Sequence, residues 1–389
     1  MPALEIAYLH YGEQSGVTRQ VSAALERRGH RVRRLQVVGP LEWRHPDRRL
    51  RIAPAVAAHL LQSAFRFGRH ALEHRWNTLY AFEVHSTSAE RLLESLPDAP
   101  DVVLQNGALF SPGLAPSRDY VLLLDHTREL SMRRPAFPDA GLAAALDYGP
   151  IWRAREQRLY RDARAIATFS RGVAESLQRD YGADGERIHI VGAGANVLPE
   201  APVRADDGRT LLFVGKDFRR KGGRVLLRAF ERVRRTFPDA RLLVAGPHEP
   251  LSLPEGATPV GFVPPEKLPD LFAQATVFVL PTLREPFGLA FLDAMACGLP
   301  CVGTLVEAVP EVIVPDETGV LVPAGDHVEL ARAIIELLSS PDRGRGMGKA
   351  GRARVLAGFT WDHVAARLED CLAPGTQTAG DVSRATSVA

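Results

Sequence analysis

The chain has 389 residues, 46% hydrophobic and 24% charged, with a formal net charge of +2; this fits a soluble globular protein of two domains and excludes a disordered or low-complexity chain. No run approaches the roughly 20 apolar residues that span a bilayer, and the opening MPALEIAYLHYGEQSG reads as a strand and a loop rather than a leader, so a cytoplasmic location is expected. Three cysteines (Cys297, Cys301 and Cys371) with no C-x-x-C pair exclude a zinc finger or a disulfide framework.

The N-terminal half alternates short apolar runs with amphipathic ones. Residues 4–10 predict a strand, 16–30 a helix with Val17, Val21 and Leu25 on one face and a stop at Gly29, and 31–38 the next strand. Between residues 27 and 76 stand twelve arginines against three acidic residues. The apolar piece Ile52–Phe67 sits inside that basic zone. It suits either a packed core helix or an amphipathic helix lying on an anionic membrane surface. Further strands are expected at 101–107, 120–126, 165–170 and 188–193, with helices at 151–163 and 171–182. The rest of residues 40–100 matches no usable pattern.

Residues 198–209 lack periodicity and read as a linker. Beyond them the alternation restarts, with strands at 210–215, 240–246, 258–263, 276–281, 300–304 and 319–323. Helices are expected at 223–237, 265–275, 288–298 and 327–340, and residues 374–389 as a disordered tail. Strand–helix alternation with a restart implies two doubly wound α/β domains, 1–197 and 210–358, facing across a cleft. Ligands in such sheets bind at the carboxyl ends of strands.

Three stretches carry candidate chemistry. In FVGKDFRRKGG (213–223), Lys216 and Lys221 flank a loop that ends in two glycines before a helix, a pattern that binds anions; a solvated basic turn explains it as well. GAGAN (192–196) resembles part of a dinucleotide fingerprint but lacks the third glycine and the following helix. In REPFGLAFLDAMACG (284–298), Glu285 and Asp293 lie eight residues apart around a helix start. They would be about 12 Å apart along the axis if both were helical. The free N–H groups between them match the order of a nucleotide sugar: sugar hydroxyls, diphosphate, ribose. Capping plus a helix-surface acid is the plainer account. No D-x-D triplet occurs, so no metal held by that motif is expected, and the lysines are left to neutralise the diphosphate.

VFVLPTLREPFGLAFLDAMACGLPCVGT, VPEVIVPDETGVLVPAGD, ATFSRGVAESLQRDYG and FTWDHVAARLEDCL together resemble the retaining glycosyltransferases of family 4 (glycosyl transferases group 1, E-x7-E type). The resemblance covers nearly the whole chain. It implies a GT-B fold: an acceptor-side Rossmann-like domain over 1–197, a nucleotide-sugar domain over 210–358, and a closing helix (359–373) that crosses back to the first. It further implies transfer of a hexose from a nucleotide-diphosphate sugar to a hydroxyl of a glycan or lipid-linked glycan, without a metal or other cofactor, with an anionic membrane surface as a further partner and no nucleic acid.

By resemblance Glu285 contacts donor-sugar hydroxyls and Asp293 the ribose. Lys216 and Lys221 meet the diphosphate, and Gly16 lies near the phosphates. Phe287, Gly288 and Leu289 complete the donor set, and His126 stands near the reacting sugar. The chain departs from the family pattern at four places. Asp293 stands for a glutamate, Lys216 for an arginine, Ser15 for the first of two glycines, and Glu307–Ala308 for a glycine pair. A sugar-nucleotide epimerase of the same fold and a non-catalytic nucleotide-sugar-binding protein are the alternatives.

Overall fold

The structure, a computed structural model, describes residues 2–37, 54–68, 71, 77–112, 119–133, 149–247 and 250–373. The expected tail at 374–389, and residues 38–53 of the basic zone, lie outside the described residues. The chain divides into two compact units, Met1–Val191 with Ala365–Ala389, and Gly192–Val364.

The first unit is built on a parallel six-stranded sheet. Its strands are β1 (Glu5–His10), β2 (Arg31–Gln36), β3 (Val102–Asn106), β4 (Tyr120–Leu124), β5 (Ala165–Thr168) and β6 (Ile188–Ile190), in the order β2-β1-β3-β4-β5-β6. Ile6 pairs with Val32 on one side and Val102 on the other. β3 and β4 are buried along their whole length, because helices cover both faces of a parallel sheet. The edge strand β2 keeps Arg31 and Arg34 exposed to solvent.

Among the covering helices are α1 (Val17–Arg27), α2 (Pro54–Phe67), α3 (Leu79–Glu94), α4 (Arg128–Arg133), α5 (Gly149–Asp162) and α6 (Arg171–Tyr181). α1 buries Val17, Val21, Ala24 and Leu25, the i, i+4, i+7, i+8 stripe of an amphipathic helix. Ser170 caps α6 by accepting from the Val173 N–H, and Gly182 ends that helix in the left-handed conformation.

α3 is the helix that the sequence pattern conceals. Its inward face carries His85 and Ser86 among Ala81, Phe82, Ala89 and Leu93, so polar letters interrupt the apolar stripe. Burial pushes the His85 imidazole down to about 4, so it sits in the core uncharged.

The second unit holds another parallel six-stranded sheet. It comprises β7 (Thr210–Val214), β8 (Arg241–Ala245), β9 (Ala257–Gly261), β10 (Val277–Val279), β11 (Cys301–Thr304) and β12 (Gly319–Val322), in the order β12-β11-β10-β7-β8-β9. Its helices include α7 (Gly223–Thr236), α8 (Leu268–Gln274), α9 (Leu289–Ala296), α10 (Val309–Val312), α11 (His327–Ser339), α12 (Pro341–Gly358) and α13 (Trp361–Leu372). α7 turns Leu226, Ala229, Phe230 and Val233 inward. Asp326 caps α11 by accepting from the N–H groups of Val328 and Glu329.

α12 was not expected, because glycine disfavours a helix interior and its PDRGRGMGKAG opening holds four. Close packing explains them. A Cβ at Gly348 would lie 2.0 Å from the Gly298 carbonyl oxygen, and one at Gly351 would lie 3.2 Å from Met295. The glycines let α12 approach α9.

The units part between Val191 and Gly192, and residues 198–209 belong to the second unit. Ala205 N–H donates to the Ala273 carbonyl at 2.8 Å, and the Arg204 guanidinium donates to the Gly298 carbonyl at 2.9 Å. Those polar groups are bonded to α8 and to the loop after α9, so the segment is ordered despite its linker-like composition. The GAGAN glycines have a packing role as well. A Cβ at Gly194 would lie 2.4 Å from the Trp361 backbone nitrogen.

Within α13 the division falls between Val364 and Ala365. In the first unit, Glu369 accepts from Arg28 at 2.6 Å and meets His30 at 3.0 Å, and Arg164 donates to the carbonyl of Leu372 at 2.8 Å.

Candidate active site

In the second sheet the strand order reverses between β7 and β10. That is the switch point at which doubly wound sheets bind ligands. The loops leaving these two strands carry the FVGKDFRRKGG and REPFG stretches.

The lysine loop is held tightly against the neighbouring loop. Gly222 is left-handed (φ +77°), and a Cβ there would lie 1.8 Å from the Pro281 carbonyl oxygen; one at Gly223 would enter the Phe218 ring. Only glycines let the start of α7 come this close to the chain leaving β10. The approach sets Lys221 Nζ against Glu285 Oε2 as a largely buried ion pair, with side-chain exposures of 14% and 7%.

Glu285 stands in the loop before α9, outside the helix. Gly288 is left-handed (φ +109°) and opens α9 at Leu289. A Cβ on it would meet the Phe291 ring at 3.0 Å and the Glu285 Cγ at 3.6 Å. Phe287 is buried, its ring 6.4 Å from that of Phe359.

The other expected donor residues are placed differently. Lys216 is exposed, with its ammonium 5.2 Å from the centre of the Phe262 ring. The two lysines therefore have different partners, an aromatic face for one and a carboxylate for the other. Asp293 lies on α9 and points at the backbone. Its Oδ1 accepts from Asn196 N–H at 2.6 Å and Val197 N–H at 2.9 Å. Burial pushes its carboxyl up to about 7, against the lowering effect of those two hydrogen bonds. The axial spacing of 12 Å expected for two helical acids does not apply, because Glu285 is not helical.

Glu307 was not assigned a role. It follows β11, adopts a left-handed φ of +42°, and accepts from the Glu285 N–H at 2.5 Å and the Arg284 Nε at 3.3 Å. The departure from a glycine pair at this position was the signal available in the sequence.

In the first unit the switch point lies between β1 and β3. After β1 the chain makes a turn in which Gln14, Ser15 and Gly16 all have positive φ, and Gly16 heads α1. A Cβ at Gly107, beyond β3, would lie 2.7 Å from the Tyr11 ring, so the two loops are in contact. Burial pushes the His10 imidazole down. His126 is half-buried two residues beyond the end of β4.

These two sheets define a GT-B architecture. Sucrose-phosphate synthase from Thermosynechococcus elongatus superposes with a TM-score of 0.70 over 94% of this chain and 97% of its own, at 21% identity. Residues 208–340 match the family described as glycosyl transferases group 1. Over that segment the chain is similar to the glycosyltransferases of this group. Among its curated relatives, the alpha-maltose-1-phosphate synthase of Mycolicibacterium smegmatis is 34% identical over 237 residues, 52% of this chain and 60% of that protein. The GDP-mannose-dependent alpha-(1-6)-phosphatidylinositol monomannoside mannosyltransferase of the same organism is 28% identical over 57% of this chain and 65% of its own length. The chain thus spans under two thirds of either relative.

Proposed function

We propose that the chain is a retaining, metal-independent glycosyltransferase moving a hexose from a nucleotide-diphosphate sugar to a hydroxyl of a glycan or lipid-linked glycan. The observation that carries this is the Lys221–Glu285 pair at the β7/β10 switch point, beside the left-handed Gly288 that opens α9. A family model for group 1 glycosyltransferases over 208–340 includes all of these residues.

In this reading Lys221 and the N–H groups at the head of α9 meet the diphosphate, and Lys216 supplies a second charge from the same loop. The diphosphate takes over Lys221 as its counter-charge, which leaves the Glu285 carboxylate to accept from donor-sugar hydroxyls. Asp293 Oδ1 stays on the backbone at 196–197 and Oδ2 is assigned to the ribose.

The bond from C1 of the sugar to the diphosphate breaks, and the acceptor oxygen bonds to C1 from the same face. The acceptor proton passes to the leaving phosphate oxygen. The protein's contribution is positioning and stabilisation of the charge that develops on the leaving group.

The test is a screen of UDP-, GDP- and ADP-sugars for nucleotide release with EDTA present, with product anomers read by NMR. Release that requires both acceptor and Glu285, with the anomeric configuration kept, supports the reading. Inversion, strict metal dependence or interconversion of the donor sugar without an acceptor overturns it. His126→Ala in the same assay tests a residue that the family resemblance alone assigns.

A lipid-linked acceptor would draw the chain to a membrane surface. Among the described residues no helix is long and apolar enough to cross a bilayer. α2 turns His59, Ser63 and Phe67 inward and leaves Leu61 and Phe65 outward, 72% and 97% exposed. Sedimentation with phosphatidylglycerol vesicles that is lost in Leu61→Ser/Phe65→Ser supports surface binding. Equal sedimentation with neutral vesicles overturns an anionic preference.

A further inference from the structure

The peptide linking Arg284 to Glu285 is held at both of its polar atoms. Its carbonyl oxygen accepts from the Thr282 hydroxyl at 2.7 Å and from the Arg220 guanidinium at 3.0 Å. Its N–H donates to Glu307 Oε2 at 2.5 Å. Each holding group is itself fixed. Arg220 is bonded through its own N–H and Nε to Asp217 at 3.0 and 3.1 Å. The Thr304 hydroxyl, at the end of β11, donates to the Thr282 carbonyl at 2.6 Å. Glu307 also pairs with the Arg284 side chain.

Glu307 makes these contacts from a backbone conformation that disfavours it. A glutamate at φ +42° costs about 1–2 kcal/mol relative to a right-handed residue. The neighbours Val306, Ala308 and Val309 are buried. The Val309 N–H donates to Val306 and the Glu311 N–H to Ala308. The loop is thus set by its surroundings, and a glycine there would relieve the strain. Strain held in place by packing belongs to sites where geometry matters more than stability.

We propose that Glu307 is a positioning residue for the donor site: by locking the Arg284–Glu285 peptide, it sets the direction in which the Glu285 carboxylate meets the donor sugar. This rests on the assignment of Glu285 to the donor sugar made above. Glu307 acts through the Glu285 backbone. Its carboxylate carries a charge that balances Arg284 and leaves Lys221 as the partner of Glu285.

The experiment compares Glu307→Gln, Glu307→Ala, Glu307→Gly and Glu285→Gln in the full chain. Steady-state transfer from the best nucleotide sugar of the screen is read beside melting temperature. A positioning role predicts that Glu307→Ala and Glu307→Gly both lower kcat by about 10- to 100-fold, the scale of a small misplacement of a reacting group, with a smaller change in donor KM. Glu307→Gln keeps a side-chain acceptor for the Glu285 N–H and recovers most of that loss. Stability separates from activity: Glu307→Gly melts above Glu307→Ala because it relieves the positive φ, yet turns over no faster. Activity that follows melting temperature across the three variants overturns the proposal and leaves Glu307 a structural residue. Wild-type kinetics in all three, with Glu285→Gln inactive, overturn it while the donor-site reading stands. Wild-type kinetics in Glu285→Gln as well overturn both.

Discussion

Each unit buries an ion pair, and the two pairs are finished differently. In the first unit Arg128 Nε meets Glu156 Oε1 at 3.3 Å, Tyr181 donates to Glu156 Oε2 at 3.2 Å, and the guanidinium stacks 4.6 Å from the Trp152 ring centre. Both oxygens of Glu156 are used. In the second unit Glu285 Oε2 meets Lys221, and among the described residues Oε1 has no protein partner. A buried carboxylate is costly unless its lone pairs are satisfied. Glu156 meets that condition within the fold. Glu285 leaves Oε1 without a protein partner among the described residues yet not sealed from solvent, so that oxygen is open to a ligand. The two acids are equally buried, so it is the difference in bonding, rather than burial, that fits the donor-site role proposed for Glu285.

The sharpest way to break this contrast is to remove each acid. Glu285→Gln should lower transfer by about 100- to 1,000-fold, the range for removing a group that stabilises a transition state, with circular dichroism unchanged. Glu156→Ala should do the opposite. It should cost about 3 kcal/mol of stability by stranding a buried charge, read by urea unfolding, while kcat per folded molecule stays at the wild-type value. If both substitutions act on stability alone, the contrast fails.

Lys221→Met should reduce kcat/KM by about 10- to 100-fold, the value of one charge-assisted hydrogen bond. Combined with Glu285→Gln the two losses should approach a sum, because the proposed donor complex gives the two residues different partners, the diphosphate and the sugar.

The smallest effect is expected at Asp293, a third buried acid. Its folded value near 7 lies above its unfolded value of 3.8. Between about pH 4 and 7 the folded state therefore holds a proton that the unfolded state has released, and stability falls as pH rises through that window. Asp293→Asn keeps an oxygen for the two backbone N–H groups. It should flatten the melting temperature across that window, with donor KM raised a few-fold. An unchanged pH profile would remove Asp293 from this account.

The sheets themselves were legible in the sequence, because fully buried parallel strands must be short apolar runs between turns. LLFV, VFV and YVLLL are each such a run. α3 and α12 were not legible, and for opposite reasons. His85 and Ser86 interrupt the inward stripe of α3, while the glycines of α12 answer to a neighbouring helix rather than to their own propensity. The two units also carry different wiring under the same alternation. In its own chain order the second unit runs 3-2-1-4-5-6, as dinucleotide-binding sheets do, and the first runs 2-1-3-4-5-6. Periodicity does not encode that difference, since it depends on which strand each crossover returns to.

For the candidate site, sequence by itself singled out which residues to look at. Glu285, Lys221 and the glycines at 222, 223 and 288 stand out because their chemistry or their conformational freedom has few substitutes. Only the tertiary structure decided what each one touches. Lys221 and Lys216 come from one loop yet part to different partners. Asp293 turns from the expected row of acids to the backbone at 196–197. Glu307, twenty-two residues beyond Glu285, reaches its amide. The reason is physical: a motif fixes side-chain chemistry and local conformation, whereas the partner of a buried polar group is chosen by packing between segments distant in sequence.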